Sequence, residues 1–170
     1  MPTDVAQRIV RWNPFLLTAV LLAGLIAQFS VPGVEAPPLT RALVMLTALG
    51  PMCVWLWAVF CVARRASPIA ISGNWDWVFV LPPVISLVAG LSGWSTYNSP
   101  AASAIFLSLF VGLSLSAKTL ENVDAVNGSA SVGRLLATAL LLYVAPVGMW
   151  VLRAKILRVA ARSRGTPLTA

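Results

Sequence analysis

Five apolar runs organise the chain: about Pro14 to Val31, Arg41 to Val62, Trp75 to Leu91, Ala101 to Ala117 and Leu135 to Leu152. Each is close to the roughly 17–25 residues that carry a helix across a bilayer core. None alternates apolar with polar positions, as the roughly ten-residue strands of a membrane barrel would. A lipid-exposed segment must satisfy its own backbone hydrogen bonds, so continuous runs of this length predict helices. The predicted fold is an all-α integral membrane protein: one domain over residues 1–152, five transmembrane helices with short loops, and a basic tail over 153–170.

Local punctuation supports these bounds. Pro14 suits a first helical turn, where its missing N–H costs nothing. Ser99-Pro100 reads as an N-cap followed by a first-turn proline. The connectors Pro32 to Thr40, Ala66 to Asn74, Gly93 to Ser99 and Val126 to Gly133 are rich in proline, glycine or polar residues. Trp12, Trp75, Trp77, Trp94 and Trp150 fall at predicted span ends, as indoles do in the aromatic belts at headgroup level. Trp55 and Trp57 lie deeper, where they pack between helices or face lipid.

Composition sharpens the picture. The 170 residues are 59% hydrophobic and 10% charged, against about a quarter charged in soluble domains. Arg8 and Arg11 before the first apolar run resemble the start of a signal peptide, but no convincing cleavage site follows. A retained signal anchor is expected. There is no histidine, which removes the usual zinc sites, bis-histidine haem ligation and the commonest general base. Cys53 and Cys61, eight positions apart on one helix, would sit about 12 Å apart, too far for a disulfide. With no Cys-x-x-Cys pair, no paired buried carboxylates and no nucleophile beside a base, no enzyme, cofactor or metal site is expected.

Charge leaves the topology open. Five spans put Arg8, Arg11, Arg64, Arg65, Lys118 and Arg134 on one side, and Arg41, Arg153, Lys155, Arg158, Arg162 and Arg164 on the other. With the basic residues evenly divided, the positive-inside rule favours neither orientation. If Pro82-Pro83 stopped the third segment from crossing, the tail would join the amino terminus, and the split would become nine against three. Four spans plus a re-entrant or tilted third segment is therefore the alternative.

Few polar features remain. Ala104, Ser108, Gly112 and Ser116 form a small-residue stripe at four-residue spacing, predicting a close helix-packing interface, within the chain or between subunits. The span centres lack ionisable residues, which argues against a proton-coupled carrier acting alone. Pro51, Pro82-Pro83 and Pro146 interrupt three helices, a feature some transporters share, but no internal repeat accompanies them. Lys118 and Glu121 make a weak pair three apart on one helical face, and Glu121 with Asp124 reads as a solvated face rather than a cation site. The tail residues Arg153, Lys155, Arg158, Arg162 and Arg164 are expected to contact anionic lipid headgroups, at about 1 kcal/mol each. Nucleic acid is not an expected partner.

The segment Ala117-Lys118-Thr119-Leu120-Glu121-Asn122-Val123-Asp124, the final Ala145-Pro146-Val147-Gly148-Met149-Trp150 and Trp55-Leu56-Trp57 resemble a family of small uncharacterised bacterial polytopic membrane proteins. The resemblance runs from the second span to the end of the fifth. The family has a Gln-Pro-Arg-Ile-Asn-like end where Leu152-Arg153-Ala154-Lys155-Ile156 stands here, so the tail has no counterpart. The resemblance implies a multi-pass protein of a bacterial cytoplasmic (inner) membrane and no established activity. The residues favour a non-enzymatic structural or accessory subunit that packs against copies of itself or other membrane subunits. The alternatives are a homo-oligomeric channel or membrane-perturbing effector, and a small transporter component.

Overall fold

The computed structural model describes residues 2–30, 36–67, 74–93, 99–124 and 131–165, which form helices joined by short turns, with no strand among them. Eight helices follow one another: α1 (Pro2–Arg11), α2 (Pro14–Ser30), α3 (Pro38–Ala66), α4 (Trp77–Ser92), α5 (Pro100–Asp124), α6 (Val132–Tyr143), α7 (Ala145–Val151) and α8 (Arg153–Gly165). By length and composition α3 and α5 can cross a membrane, and a third crossing follows if α1 and α2 count as one bent span.

Cross-helix contacts fix the packing. Gly24 of α2 lies against Thr47 of α3, and Gly90 of α4 against Ala42 of α3. Trp57 Nε1 of α3 donates to Asp76 Oδ1, at the head of α4 (3.1 Å). Gly112 of α5 faces Phe79 of α4, and Ser116 Oγ of α5 donates to the Leu56 carbonyl of α3 (3.3 Å). Helices α2 to α5 therefore run up and down in chain order, with α3 at the centre. Its residues Leu56, Ala58, Val59, Phe60, Val62 and Ala63 are all buried.

At Gly90 the approach is close enough to exclude a side chain: an added Cβ would come within 2.6 Å of Ala42 Cα. We expect Gly90→Ala to cost about 2 kcal/mol, because overpacking against the Ala42 backbone falls at the upper end of about 1–3 kcal/mol and alanine's better helix propensity offsets about 1 kcal/mol of it. The shift of the unfolding midpoint in detergent checks this. An unchanged midpoint would mean that α3 and α4 sit further apart.

Proline breaks the last apolar run and not the third. The helix α4 continues through Pro82-Pro83. Pro82 is buried, Phe79 packs on Phe60 with ring centroids 5.4 Å apart, and the Ser86 hydroxyl donates to the Pro82 carbonyl (2.7 Å). Neighbouring contacts thus hold the third segment as one helix, antiparallel to α3 from the Asp76–Trp57 contact at one end to Gly90–Ala42 at the other. The break falls instead in the last apolar segment. Val144 leaves the helical region at φ −84°, ψ 63°, the conformation of an inverse γ-turn, and Pro146 has no N–H to offer the Leu142 carbonyl. The segment read as a single span from Leu135 to Leu152 is two helices, α6 and α7, that fold back on each other.

Both ends of the chain form helices on the bundle. The axes of α1 and α2 meet at 89°. Ala6, Ile9 and Val10 of α1 and Ile156, Val159 and Ala160 of α8 belong to the same buried core as α3. The stretch read as a basic tail is, over Arg153–Gly165, the helix α8. Gln7 Nε2 of α1 donates to Ser163 Oγ of α8 (3.1 Å).

Candidate functional site: a charge cluster that closes a helical hairpin

The last turn of α5 carries two carboxylates, Glu121 and Asp124, and the hairpin brings cations to them from both of its ends. Ser131 caps α6, its Oγ accepting from the Arg134 backbone N–H (3.4 Å). In the first turn of α6, Arg134 places Nε 3.4 Å from Glu121 Oε2 and Nη2 3.3 Å from Asp124 Oδ2. One turn deeper, the Thr138 hydroxyl donates to Glu121 Oε1. From the start of α8, the Lys155 ammonium donates to the same Oε1 and lies 3.5 Å from Asp124 Oδ2. Arg158 Nη2 approaches Asp124 Oδ1 at 3.8 Å.

Arg134 and Lys155 stand 21 positions apart, which a straight helix would stretch to about 32 Å. Their meeting on the same two carboxylates shows that the segment between them returns to where it began. Two residues permit the reversal. Pro146 ends the α6 hydrogen-bond ladder, and an added Cβ at Gly148 would overlap the Leu141 carbonyl, so only glycine lets α7 lie this close to α6.

Burial grades the cluster. The Glu121, Lys155 and Asp124 side chains are 2%, 11% and 14% exposed, whereas Arg134 and Arg158 are 54% and 64% exposed. The Glu121–Lys155 pair sits in low dielectric, where loss of one partner leaves an uncompensated charge at a cost of about 3–5 kcal/mol. The contributions of the two arginines are screened by water and fall within about 0–1 kcal/mol each. Chemically the cluster is a clamp. Two carboxylates are matched by an ammonium, two guanidiniums and a hydroxyl, and among the described residues no group of three or more His, Cys, Asp or Glu could hold a metal.

The residues singled out from sequence fall as follows. Ser108, Gly112 and Ser116 are buried inside the chain, packing toward α3 and α4, whereas Ala104 is exposed. The serine hydroxyls donate to carbonyls of their own helix, Ser108 to Ala104 (2.8 Å) and Ser116 to Gly112 (2.8 Å). Trp12 and Trp150 are exposed, and Trp150 meets Phe15 edge-on at 4.4 Å. Trp75 and Trp77 stack at 6.3 Å, and Trp94 lies outside the described residues. Trp55 is buried among the helices. Arg153 Nη1 donates to the Trp12 carbonyl (3.3 Å), and Arg162 Nη1 to the Val123 carbonyl (2.9 Å). Lys155 turns inward, Arg158 stays mostly exposed, and Arg164 lies on α8.

Glu121, expected as half of a solvated face beside Lys118, is 1% exposed. Its partners are Lys155 and Arg134, and Thr138 is a member that the sequence does not single out. The available signals are the Ala-Pro-Val-Gly in the middle of the last run and the lone threonine facing back toward a carboxylate. Cys53 and Cys61 are free thiols, as their spacing requires. Comparison with protein families, with curated proteins and with solved structures finds no match to this chain.

Proposed function

We propose that this protein is a non-enzymatic, multi-pass membrane subunit in which α2 to α5 cross the bilayer, α6–α7 re-enters it, and a second copy of the chain covers the hairpin tip. One observation carries the reading: the helix break at Val144 lies on the outside of the bundle. Tyr143 is 59% and Val144 43% exposed, and 12 residues of α6 put them about 18 Å from its start. That depth falls within a hydrocarbon core of about 30 Å. Broken backbone does not face lipid there; it is covered by protein or lines water.

Beside the tip, Leu136 and Leu140 of α6 and Phe106, Leu107 and Phe110 of α5 are exposed. A two-fold contact between copies would bury this apolar surface and both breaks together. Ser108, Gly112 and Ser116 of the small-residue stripe are buried inside the chain, which favours the hairpin tip over the stripe for this contact. The resemblance seen in the sequence makes a bacterial cytoplasmic membrane the proposed location.

A Tyr143→Cys variant lacking Cys53 and Cys61 tests the reading. Mild oxidation in native membranes is expected to give a disulfide-linked dimer. A particle that stays monomeric in membranes, with its fold intact, would contradict it. The same break favours a second reading, a homo-oligomeric channel whose wall includes the exposed Tyr143 and Val144. Conductance of the purified protein in planar bilayers separates the two, because a packing subunit leaves the bilayer electrically silent.

A further inference from the structure

The reversal of α6–α7 redistributes the charge of the whole chain. Residues Trp12, Asp124, Arg134 and Arg153 to Arg162 meet at one end of the bundle through the contacts of the clamp, the Arg153–Trp12 bond and the Arg162–Val123 bond. The ends of α1, α3 and α5 and the start of α6 lie there too. That end therefore carries Arg8, Arg11, Arg64, Arg65, Lys118, Arg134, Arg153, Lys155, Arg158, Arg162 and Arg164. Of the 12 lysines and arginines in the chain, this leaves Arg41 alone at the other end. There Arg41 approaches Gly93, the left-handed cap of α4.

Two helices shape this end into a surface. The 89° bend lays α1 across the axis of α2. Lys155, Arg158 and Arg162 all contact residues 121–124, so α8 crosses the end of α5 rather than extending it. The apolar sides of both helices are buried on the bundle. Their outward sides carry the exposed Arg8 and Arg11 and the mostly exposed Arg158, beside Asp4, Val5, Ala154 and Ala161.

We propose that α1 and α8 form a collar that docks on anionic lipid headgroups, and that the protein sits with both termini on the cytoplasmic side. Charge complementarity selects the occupant. A cytoplasmic leaflet is negative, and basic residues are retained on that side. The inference does not depend on what covers the hairpin tip.

The test uses the full chain in vesicles containing brominated phosphatidylglycerol or brominated phosphatidylcholine, read by quenching of tryptophan fluorescence. Wild type is expected to favour the anionic lipid. Arg8→Gln with Arg11→Gln is expected to lower that preference by about fivefold per arginine. Arg8→Lys with Arg11→Lys is expected to keep it. Equal quenching by both lipids in wild type, or no loss in the glutamine variant, would overturn the docking surface. In a background free of Cys53 and Cys61, Asp4→Cys and Ala161→Cys are expected to react with a membrane-impermeant thiol reagent only from the cytoplasmic side, and Thr40→Cys only from the opposite side. Labelling of Asp4→Cys and Ala161→Cys from opposite sides would overturn the orientation.

Discussion

Glu121→Ala lowers the stability of the protein by about 3 kcal/mol, because it removes the carboxylate hydrogen-bonded to the buried Lys155 ammonium and leaves it only Asp124, 3.5 Å away. Lys155→Ala is expected to cost a similar amount by stranding Glu121, whose remaining polar neighbours are Thr138 and Arg134. The pair should couple strongly. Glu121→Leu with Lys155→Met removes both charges at similar volume and is expected to cost less than either alanine variant. Arg158→Gln is the control: its guanidinium is 64% exposed, so the loss stays under about 1 kcal/mol. Unfolding titrations in detergent, followed by near-ultraviolet circular dichroism, give all four values. Additive losses for the double variant would mean that the clamp is not a coupled pair.

Gly148→Leu has the second large effect, with an expected cost of about 3 kcal/mol or more. Overpacking usually costs about 1–3 kcal/mol because a crowded side chain can rotate or a helix can shift. Here the obstruction is the Leu141 backbone carbonyl, which cannot rotate away. The hairpin is also pinned by the proline turn at its tip and by the charge cluster at its mouth, so α7 has little freedom to retreat. Gly148→Ala already places a Cβ in that space and should show much of the loss. A variant that unfolds at the wild-type midpoint would mean that α6 and α7 do not touch at Gly148.

Much of this architecture is legible in the sequence, and the part that is not has a physical explanation. The apolar runs mark α2, α3, α4 and α5 because an apolar helix leaves a continuous hydrophobic record, and in α3 and α5 that record is long enough to cross a bilayer. Pro14, the Ser99-Pro100 cap and the Arg64-Arg65 end of α3 fall where the sequence puts them. The last run misleads because a long apolar stretch reads the same whether it forms one straight helix or two that fold back on each other. Hydrophobicity reports the solvent around a segment, not its direction. Two proline sites compete for the role of helix breaker, and by sequence Pro82-Pro83 is the stronger. What decides between them is tertiary. Phe79 and Pro82 are held by α3 and α5, whereas Pro146 follows a valine in a turn conformation and precedes a glycine that allows a backbone-to-backbone contact.

The charge cluster is hidden for the same reason. Glu121 and Asp124 read as a solvated helix end because their partners are 10 to 34 positions away, and a straight last segment would carry Lys155 to the far side. The even split of basic residues between the two sides is the clue. Such a split is uncommon in a multi-pass protein, and turning the last segment back removes it.

A distance across the hairpin tests the account most directly. Gly133, with no neighbouring atom within 4 Å of an added Cβ, and Ala154 are both exposed and accept spin-labelled cysteines in a background free of Cys53 and Cys61. Pulsed dipolar spectroscopy in lipid is expected to give a separation of about 20 Å or less, the span of two neighbouring helices. A distance near the roughly 32 Å of a straight helix would mean that the last segment crosses the membrane, and that the clamp does not hold a hairpin.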